Sequence, residues 1–341
     1  MAGTTPHAAL ILGAAGPRLT PAERSFFRDV DPLGFILFAR NVEAPDQVRA
    51  LIAEMRDAVG RADAPVLIDQ EGGRVQRLKP PHWRAAPAGA AFARLFGENP
   101  DAAREGAYLN ALLIGRELSA LGITVDCAPV LDVPQPDAHD IIGDRALGAD
   151  PASVADLGRC VCRGLLAAGV APVIKHLPGH GRARADSHEE LPTVETPLDI
   201  LEAVDFPPFR ELADAPWAMT AHVVYTAIDG AEPASTSVQV IDRIIRGSFS
   251  FDGVLVSDDL GMKALSGGFE ARARRVLAAG CDIALHCSGD MAEMISAASG
   301  SRPMSAKTCE RVAAAETLRR GTVADHISDE AALARLEELL A

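Results

Sequence analysis

The sequence has no apolar run approaching the roughly 20 residues that a helix needs to cross a bilayer, and no cluster of Lys and Arg. The first absence argues against a membrane-spanning helix. The second compounds a plain acidic balance, 47 Asp and Glu against 33 Lys and Arg. An acidic surface repels phosphate backbones and anionic headgroups, so neither nucleic acid nor membrane is an expected partner. The apolar stretch from Ala8 to Ala15 is not preceded by a basic residue, and Gly13 and Gly16 break it up. It lacks the form of a secretory signal and reads as a first strand and its loop. No linker rich in Pro, Gly or Ser divides the chain and no heptad pattern runs through it, so one domain and a monomer are expected. The six cysteines (Cys127, Cys160, Cys162, Cys281, Cys287, Cys309) are scattered through strand- and helix-like segments. They read as buried free thiols, and the matching compartment is the cytoplasm. Cys160 and Cys162 lie two apart in a helical pattern, where side chains do not face each other, so no metal or redox pair is read there.

What the chain does contain is a regular alternation. Short apolar runs at Ala8–Leu12, Gly34–Phe38, Pro65–Ile68, Thr124–Ala128, Ala171–Ile174, Ala218–Ala221, Gly253–Val256 and Asp282–His286 are each bounded by turn residues, as buried parallel strands are. Segments of helical period separate most of them, such as Val154, Leu157, Val161 and Leu165 before the fifth run. Thr20-Pro21-Ala22-Glu23 is a capping box with Pro at the first helical position, and Asp150-Pro151 and Thr196-Pro197 repeat the cap-Pro pairing. Eight βα units predict an α/β fold, a closed (β/α)8 barrel of the TIM type. The barrel is placed at about residues 7–300 of a single domain spanning 1–341, with C-terminal helices at about 301–341. Ser305 and Ser328 are the expected N-caps of the last two helices. The open doubly wound alternative would call for a glycine-rich phosphate turn after the first strand, which Gly13 and Gly16 match poorly.

In such a barrel the active site lies at the C-terminal ends of the strands. Those ends supply Asp69-Gln-Glu-Gly-Gly-Arg-Val-Gln-Arg77 after the third strand, then Asp132 and Gly143-Asp-Arg145 after the fourth. Lys175 and His176 follow the fifth, on Ala171-Pro-Val-Ile-Lys175-His176-Leu-Pro-Gly179-His180-Gly181, with Asp186-Ser187-His188 a few residues on. His222 comes after the sixth strand, Ser257-Asp258-Asp259-Leu260 after the seventh and His286 after the eighth. Polar groups therefore converge on one mouth, a pocket for a hydrogen-bonding substrate. The fifth loop is longer than the usual few residues. Gly179 and Gly181 predict a flexible start to it, and a lid that closes over substrate. Adjacent acids at a strand end also serve as helix caps, which leaves Asp259 open to that role.

Together with Gly34-Phe-Ile-Leu-Phe-Ala-Arg-Asn41, the segments Asp69–Arg77, Lys175–Gly181, Asp186–His188 and Ser257–Met262 resemble the signature of glycoside hydrolase family 3. The resemblance is to its bacterial, cytoplasmic β-N-acetylglucosaminidases of cell-wall recycling, and it covers nearly the whole chain. Leu177 stands where the family usually has Phe, and Ala146-Leu147 where Ser and an aromatic are common. The resemblance implies a retaining exo-β-N-acetylglucosaminidase acting on GlcNAc-1,6-anhydro-MurNAc with or without peptide. Asp258, the first acid after the Ser, would be the nucleophile, His188 the general acid/base and Asp186 the group that orients it. Asp69, Arg77, Arg145, Lys175 and His176 would bind the sugar. No cofactor or metal is implied. An unperturbed imidazole, titrating near ~6.5, is suited to both proton transfers near neutral pH. Two rivals share the barrel: a metal site made of His176, His180, His188 and Asp186, and partial phosphorolysis at the same nucleophile, since an imidazole repels phosphate less than a carboxylate does.

Overall fold

The computed structural model describes residues 6–322 and 325–341. Eight parallel strands close into a barrel: β1 (Ala8–Gly13), β2 (Pro32–Leu37), β3 (Val66–Ile68), β4 (Val125–Asp126), β5 (Ala171–Leu177), β6 (Trp217–Thr220), β7 (Val254–Asp259) and β8 (Ile283–His286). Each pairs with its neighbours in sequence, and β1 closes the ring on β8 with Leu10 opposite Ala284 and Leu12 opposite His286. Helices cover the outside and side chains fill the inside, so both faces of each strand are buried. That is why the strands read as near-continuous apolar runs, with Leu10, Ile11, Leu12, Phe35 and Val66 all fully buried.

The local signals explain the helix starts. Thr20 Oγ1 accepts the Glu23 N–H at 3.2 Å while Glu23 Oε2 accepts the Thr20 N–H at 2.8 Å, closing the capping box of Pro21–Val30. Asp150, Ser305 and Ser328 cap Pro151–Ala167, Ala306–Gly321 and Asp329–Leu340 in the same way. Thr196 does not. Its helix begins only at Leu198, with Pro197 at the cap position and no side-chain cap, because the proline ring offers no acceptor there. The last helix lays Ala332 and Leu336 against Ala103 and Ala107 of Pro100–Leu121. Five of the cysteines are buried and Cys309 is half-buried, all as free thiols. Among the described residues, no helix is long and apolar enough to cross a membrane.

Two irregularities in the barrel matter for the site. A regular strand sends successive side chains to opposite faces. The pairing of β5 with β6 slips between Lys175 and Leu177, and that of β7 with β8 slips between Val256 and Asp259. Both strands also run further than their apolar runs predict, so Lys175, His176, Asp258 and Asp259 lie within strands and not beyond them. The slips let each adjacent pair line the same mouth.

Candidate active site

The C-terminal end of the barrel opens into a cleft of about 340 Å³, lined by all the sequence-predicted binding residues and by Asp258 and His188. Its floor is a charge network. Lys175 is 2 % exposed and its Nζ sits 2.9 Å from Asp69 Oδ1 and 2.6 Å from Glu71 Oε1. Arg77 Nη2 reaches Asp69 Oδ2 at 3.1 Å, and its guanidinium lies 5.1 Å from the Phe38 ring centroid. Arg145 grips Glu71 with two parallel bonds, Nε to Oε2 and Nη2 to Oε1, each 2.8 Å. Burial pushes both carboxyls up, but Lys175 with Arg77 at Asp69, and Lys175 with Arg145 at Glu71, outweigh it and hold both ionised. Burial alone would lower Lys175, and the two carboxylates reverse that.

The alternation within Asp69–Arg77 explains how two acids are aimed into a cleft. Gln70–Gly72 and Val75–Gln76 form a small antiparallel hairpin, turned by Gly72 and Gly73, both at positive φ. Asp69 and Glu71 lie on one side of it. On the other, buried Gln70 takes the N–H groups of Arg77 and Leu78 on Oε1, and Gln76 gives its amide to the Leu78 and Arg84 carbonyls. Arg74 is a rim brace: it pairs with Asp144 at 3.0 Å and donates to the carbonyls of Asp140, Ile141 and Ile142.

Beneath this floor lies a small cavity of about 40 Å³, reached by Asp126 and Asn110. Asp126 Oδ1 takes the Gln70 N–H at 3.0 Å, while its Oδ2 and the Asn110 Oδ1 are buried without a protein partner. Burial pushes the Asp126 carboxyl well up, overriding the Gln70 bond and the Lys175 charge. A carboxyl whose folded pKa is raised contributes its full stability below its unfolded pKa near ~4, and that contribution is lost as pH rises towards the folded pKa. Asp126→Asn removes this liability and places an amide donor in a cavity lined by a bare acceptor. The variant is therefore expected to match wild type in urea unfolding at pH 4 and to exceed it increasingly up to pH 8. A variant that is less stable at pH 8 would show that Asp126 is ionised and paired.

A second carboxylate, Asp132, organises the imidazoles. The chain beyond β4 keeps pairing with β5 as far as Leu131, whose N–H meets the Lys175 carbonyl at 2.7 Å. This carries Asp132, fully buried, beside His176. Asp132 Oδ2 lies 2.7 Å from His176 Nδ1, and Oδ1 takes the His180 backbone N–H at 2.6 Å. Burial raises the Asp132 carboxyl, but the two imidazoles and these bonds lower it further, so it stays ionised. With Nδ1 paired to Asp132, His176 lines the cleft wall. His176 and His180 thus share one carboxylate, and His188 pairs with another. Among the described residues no group of three or more His, Cys, Asp or Glu is arranged to hold a metal ion.

Asp258 stands half-buried at the end of β7. Its Oδ1 accepts the Asp259 N–H at 2.8 Å. Burial raises its pKa, but the imidazoles of His222 and His176 and that N–H hold the carboxyl below its ordinary value. Asp259 has a different occupation: its Oδ1 accepts the N–H groups of Gly261 and Cys287, both at 3.0 Å, stapling two strand ends together. His222 is fully buried between Ser235 Oγ at 2.6 Å and the Asp259 carbonyl at 3.0 Å, and burial lowers its pKa. It braces the strand end that carries Asp258. His286 is buried against the Phe269 ring and Ser288.

The long loop after β5 corrects one expectation. Gly179 and Gly181 are not simply pliable. Gly179 has φ +139° and its carbonyl is held by the Tyr225 hydroxyl at 2.6 Å, and a Cβ on Gly181 would stand 2.1 Å from the Val133 carbonyl. The loop base is therefore fixed, and glycine is required for close approach. Asp186 and His188 do pair. Asp186 opens a turn: its Oδ1 accepts both the His188 N–H at 2.8 Å and a bond with ring Nδ1 at 2.9 Å, and its carbonyl takes the N–H groups of Glu189 and Glu190. Burial raises the Asp186 carboxyl most, but the bonds to His188 and its imidazole together outweigh that and lower it. Nδ1 is thereby committed to Asp186, and the His188 side chain remains 66 % exposed with Nε2 available to a ligand. Glu71 and Phe38 line the cleft without being singled out by the motifs, and Asp132, which the strand ends do supply, is seen only here to be the partner of His176. Glu71 carried a usable signal, an acid two residues from Asp69 on a strand-like alternation.

The profile of the glycosyl hydrolase family 3 N-terminal domain matches residues 18–314. The β-hexosaminidase of Alkalilimnicola ehrlichii is 40 % identical over 282 residues, which is 82 % of this chain and 80 % of its own. The structure of NagZ from Neisseria gonorrhoeae in complex with N-trifluoroacetyl-D-glucosamine superposes with a TM-score of 0.85 at 31 % identity, covering 98 % of both chains. A family 3 β-N-acetylglucosaminidase from Paenibacillus sp. str. FPU-7 also gives 0.85 at 31 % identity; the match takes in 97 % of this chain and 66 % of that longer one.

Proposed function

The chain belongs to glycosyl hydrolase family 3 and is a β-hexosaminidase, and from that premise we propose that it is a retaining exo-β-N-acetylglucosaminidase. Its substrates are muropeptide fragments, GlcNAc-1,6-anhydro-MurNAc with or without peptide, and its place is the cytoplasmic recycling of cell wall. It works as a monomer on a small carbohydrate, without a cofactor. The observation that carries the reading is the opposition, across one cleft, of an ionised Asp258 and a His188 whose far nitrogen is fixed by Asp186.

Asp258 attacks the anomeric carbon from the α face as His188 Nε2 gives its proton to the glycosidic oxygen and the C–O bond breaks. The product is a glycosyl ester on Asp258 and a free aglycone. His188 then takes a proton from water, water attacks the same carbon, and Asp258 departs with net retention. The 2-acetamido group is a recognition element here, not the nucleophile. Asp69, Arg77, Arg145, Lys175 and His176 hold sugar hydroxyls through charge-assisted bonds. Because the network contains three cations and two carboxylates, it keeps donors to spare for a ligand.

Proton donation matters most when the leaving group is poor. His188→Ala is expected to lower kcat/KM for phenyl β-N-acetylglucosaminide by about 10²–10⁴-fold, while 2,4-dinitrophenyl β-N-acetylglucosaminide loses little. Equal losses on the two substrates would remove His188 from the acid role.

A further inference from the structure

Ser187 is 3 % exposed although the His188 side chain beside it is 66 % exposed. A surface loop has no reason to bury a hydroxyl unless something there uses it. Both of its polar groups are engaged by other parts of the site. Ser187 Oγ lies 3.2 Å from Nε2 of His180, and the Ser187 carbonyl accepts the N–H of Ala264 at 3.2 Å. His180 belongs to the fixed base of the loop, where Asp132 holds its backbone N–H. Ala264 follows Asp258 and Asp259 on the loop beyond β7. Ser187 is therefore tied on one side to the fixed base of its own loop and on the other to the loop that follows Asp258.

The direction of the side-chain bond follows from burial. Burial presses the His180 pKa down to about 4, outweighing the pull of Asp132, so the ring is neutral and carries one proton. His180 Nδ1 is buried and has no hydrogen-bond partner among the described residues. A bare acceptor is tolerated there more readily than an orphaned N–H, which assigns the proton to Nε2 and makes Ser187 Oγ its acceptor.

We propose that Ser187 is the positioning residue that docks the acid/base loop, holding His188 over the glycosidic oxygen through its two bonds to His180 and Ala264. The assignment rests on His188 being the acid/base. It explains why a turn with two solvated acids, Glu189 and Glu190, is pinned at its one buried residue. It also links acid to nucleophile, because the Ala264 bond sets the position of His188 relative to the Asp258 strand end. Ser187 does not itself transfer a proton.

The test compares kcat/KM for phenyl and 2,4-dinitrophenyl β-N-acetylglucosaminides in wild type, Ser187→Ala and His188→Ala, with melting temperatures alongside. Ser187→Ala is expected to lose about 5- to 30-fold on the phenyl substrate and less than about threefold on the dinitrophenyl one, a weaker copy of His188→Ala. Equal losses on both substrates, or no loss on either, would overturn the docking role while leaving His188 in place. If His188→Ala itself shows no leaving-group dependence, the acid/base reading fails and takes this inference with it. Should Ser187→Ala not fold, Ser187→Cys keeps the size and weakens the bond, and the same split is expected at smaller amplitude.

Discussion

Asp258→Ala is expected to lower kcat on an aryl β-N-acetylglucosaminide by roughly four to six orders of magnitude, with KM changed far less. The neighbouring carboxylates of the cleft are engaged elsewhere. Asp259, the adjacent carboxylate, is spent on the Gly261 and Cys287 N–H groups, and Asp69 and Glu71 are locked to Lys175 and the arginines. Asp258 is held ionised and keeps an uncommitted oxygen: its Oδ1 takes one backbone N–H, and among the described residues its Oδ2 makes no hydrogen bond. Truncation also opens a space the size of a small anion on the α face. Azide added to the variant should therefore restore turnover of the dinitrophenyl substrate and leave α-glycosyl azide, identifiable by NMR. Recovery of the β-azide from Asp258→Ala, or near-normal activity without azide, would require a different nucleophile.

Lys175→Met should produce the largest loss of stability. Methionine fills nearly the same volume, so the effect reads charge and not a cavity. Without the ammonium, Asp69 and Glu71 face each other at the bottom of the cleft with Arg77 and Arg145 as their remaining partners. Breaking one partner out of a buried ionic cluster costs about 3–5 kcal/mol. The pH dependence follows from the shifts. Asp69 and Glu71 are depressed in the folded state, so their contribution is present above their unfolded pKa values near ~4 and fades as pH falls below them. Lys175 is raised, so its contribution holds below about 10.4 and fades as pH rises through its folded value. The deficit of Lys175→Met in urea unfolding should accordingly be widest between about pH 5 and 9 and should narrow on acidification. A deficit that stays constant from pH 7 to pH 3 would mean that packing, and not charge, is what the lysine supplies.

Periodicity carried the architecture. Eight apolar runs between helical segments are enough to specify a closed parallel barrel, because burial on both faces leaves no polar alternation to mistake for anything else. The caps at Thr20, Asp150, Ser305 and Ser328 were legible because they depend on residues three apart. Thr196 was misread because the backbone beyond Pro197, not the dipeptide, decides where a helix begins. The chemistry-bearing segments were legible as motifs, with Asp258 and the Asp186–His188 pair at strand ends and loops.

The sequence by itself determined which residue types reach the mouth of the barrel, since strand order and strand ends follow from local pattern. Only the tertiary structure decided how they are used there. Two register slips turn adjacent residues to one face, which strand periodicity forbids and only pairing with neighbouring strands can impose. Glu71 became the partner of Lys175 and Arg145, and Asp132 the carboxylate shared by two imidazoles, because residues distant in the chain meet at hydrogen-bond distance. Ser187, bland in sequence, was singled out by burial. Ionisation in particular is a property of the assembled site. Asp126 and Asp258 are the same residue type at the ends of equivalent strands, and one is pushed up by burial while the other is held down by the N–H of its chain neighbour and by imidazoles that reach it only in the closed barrel.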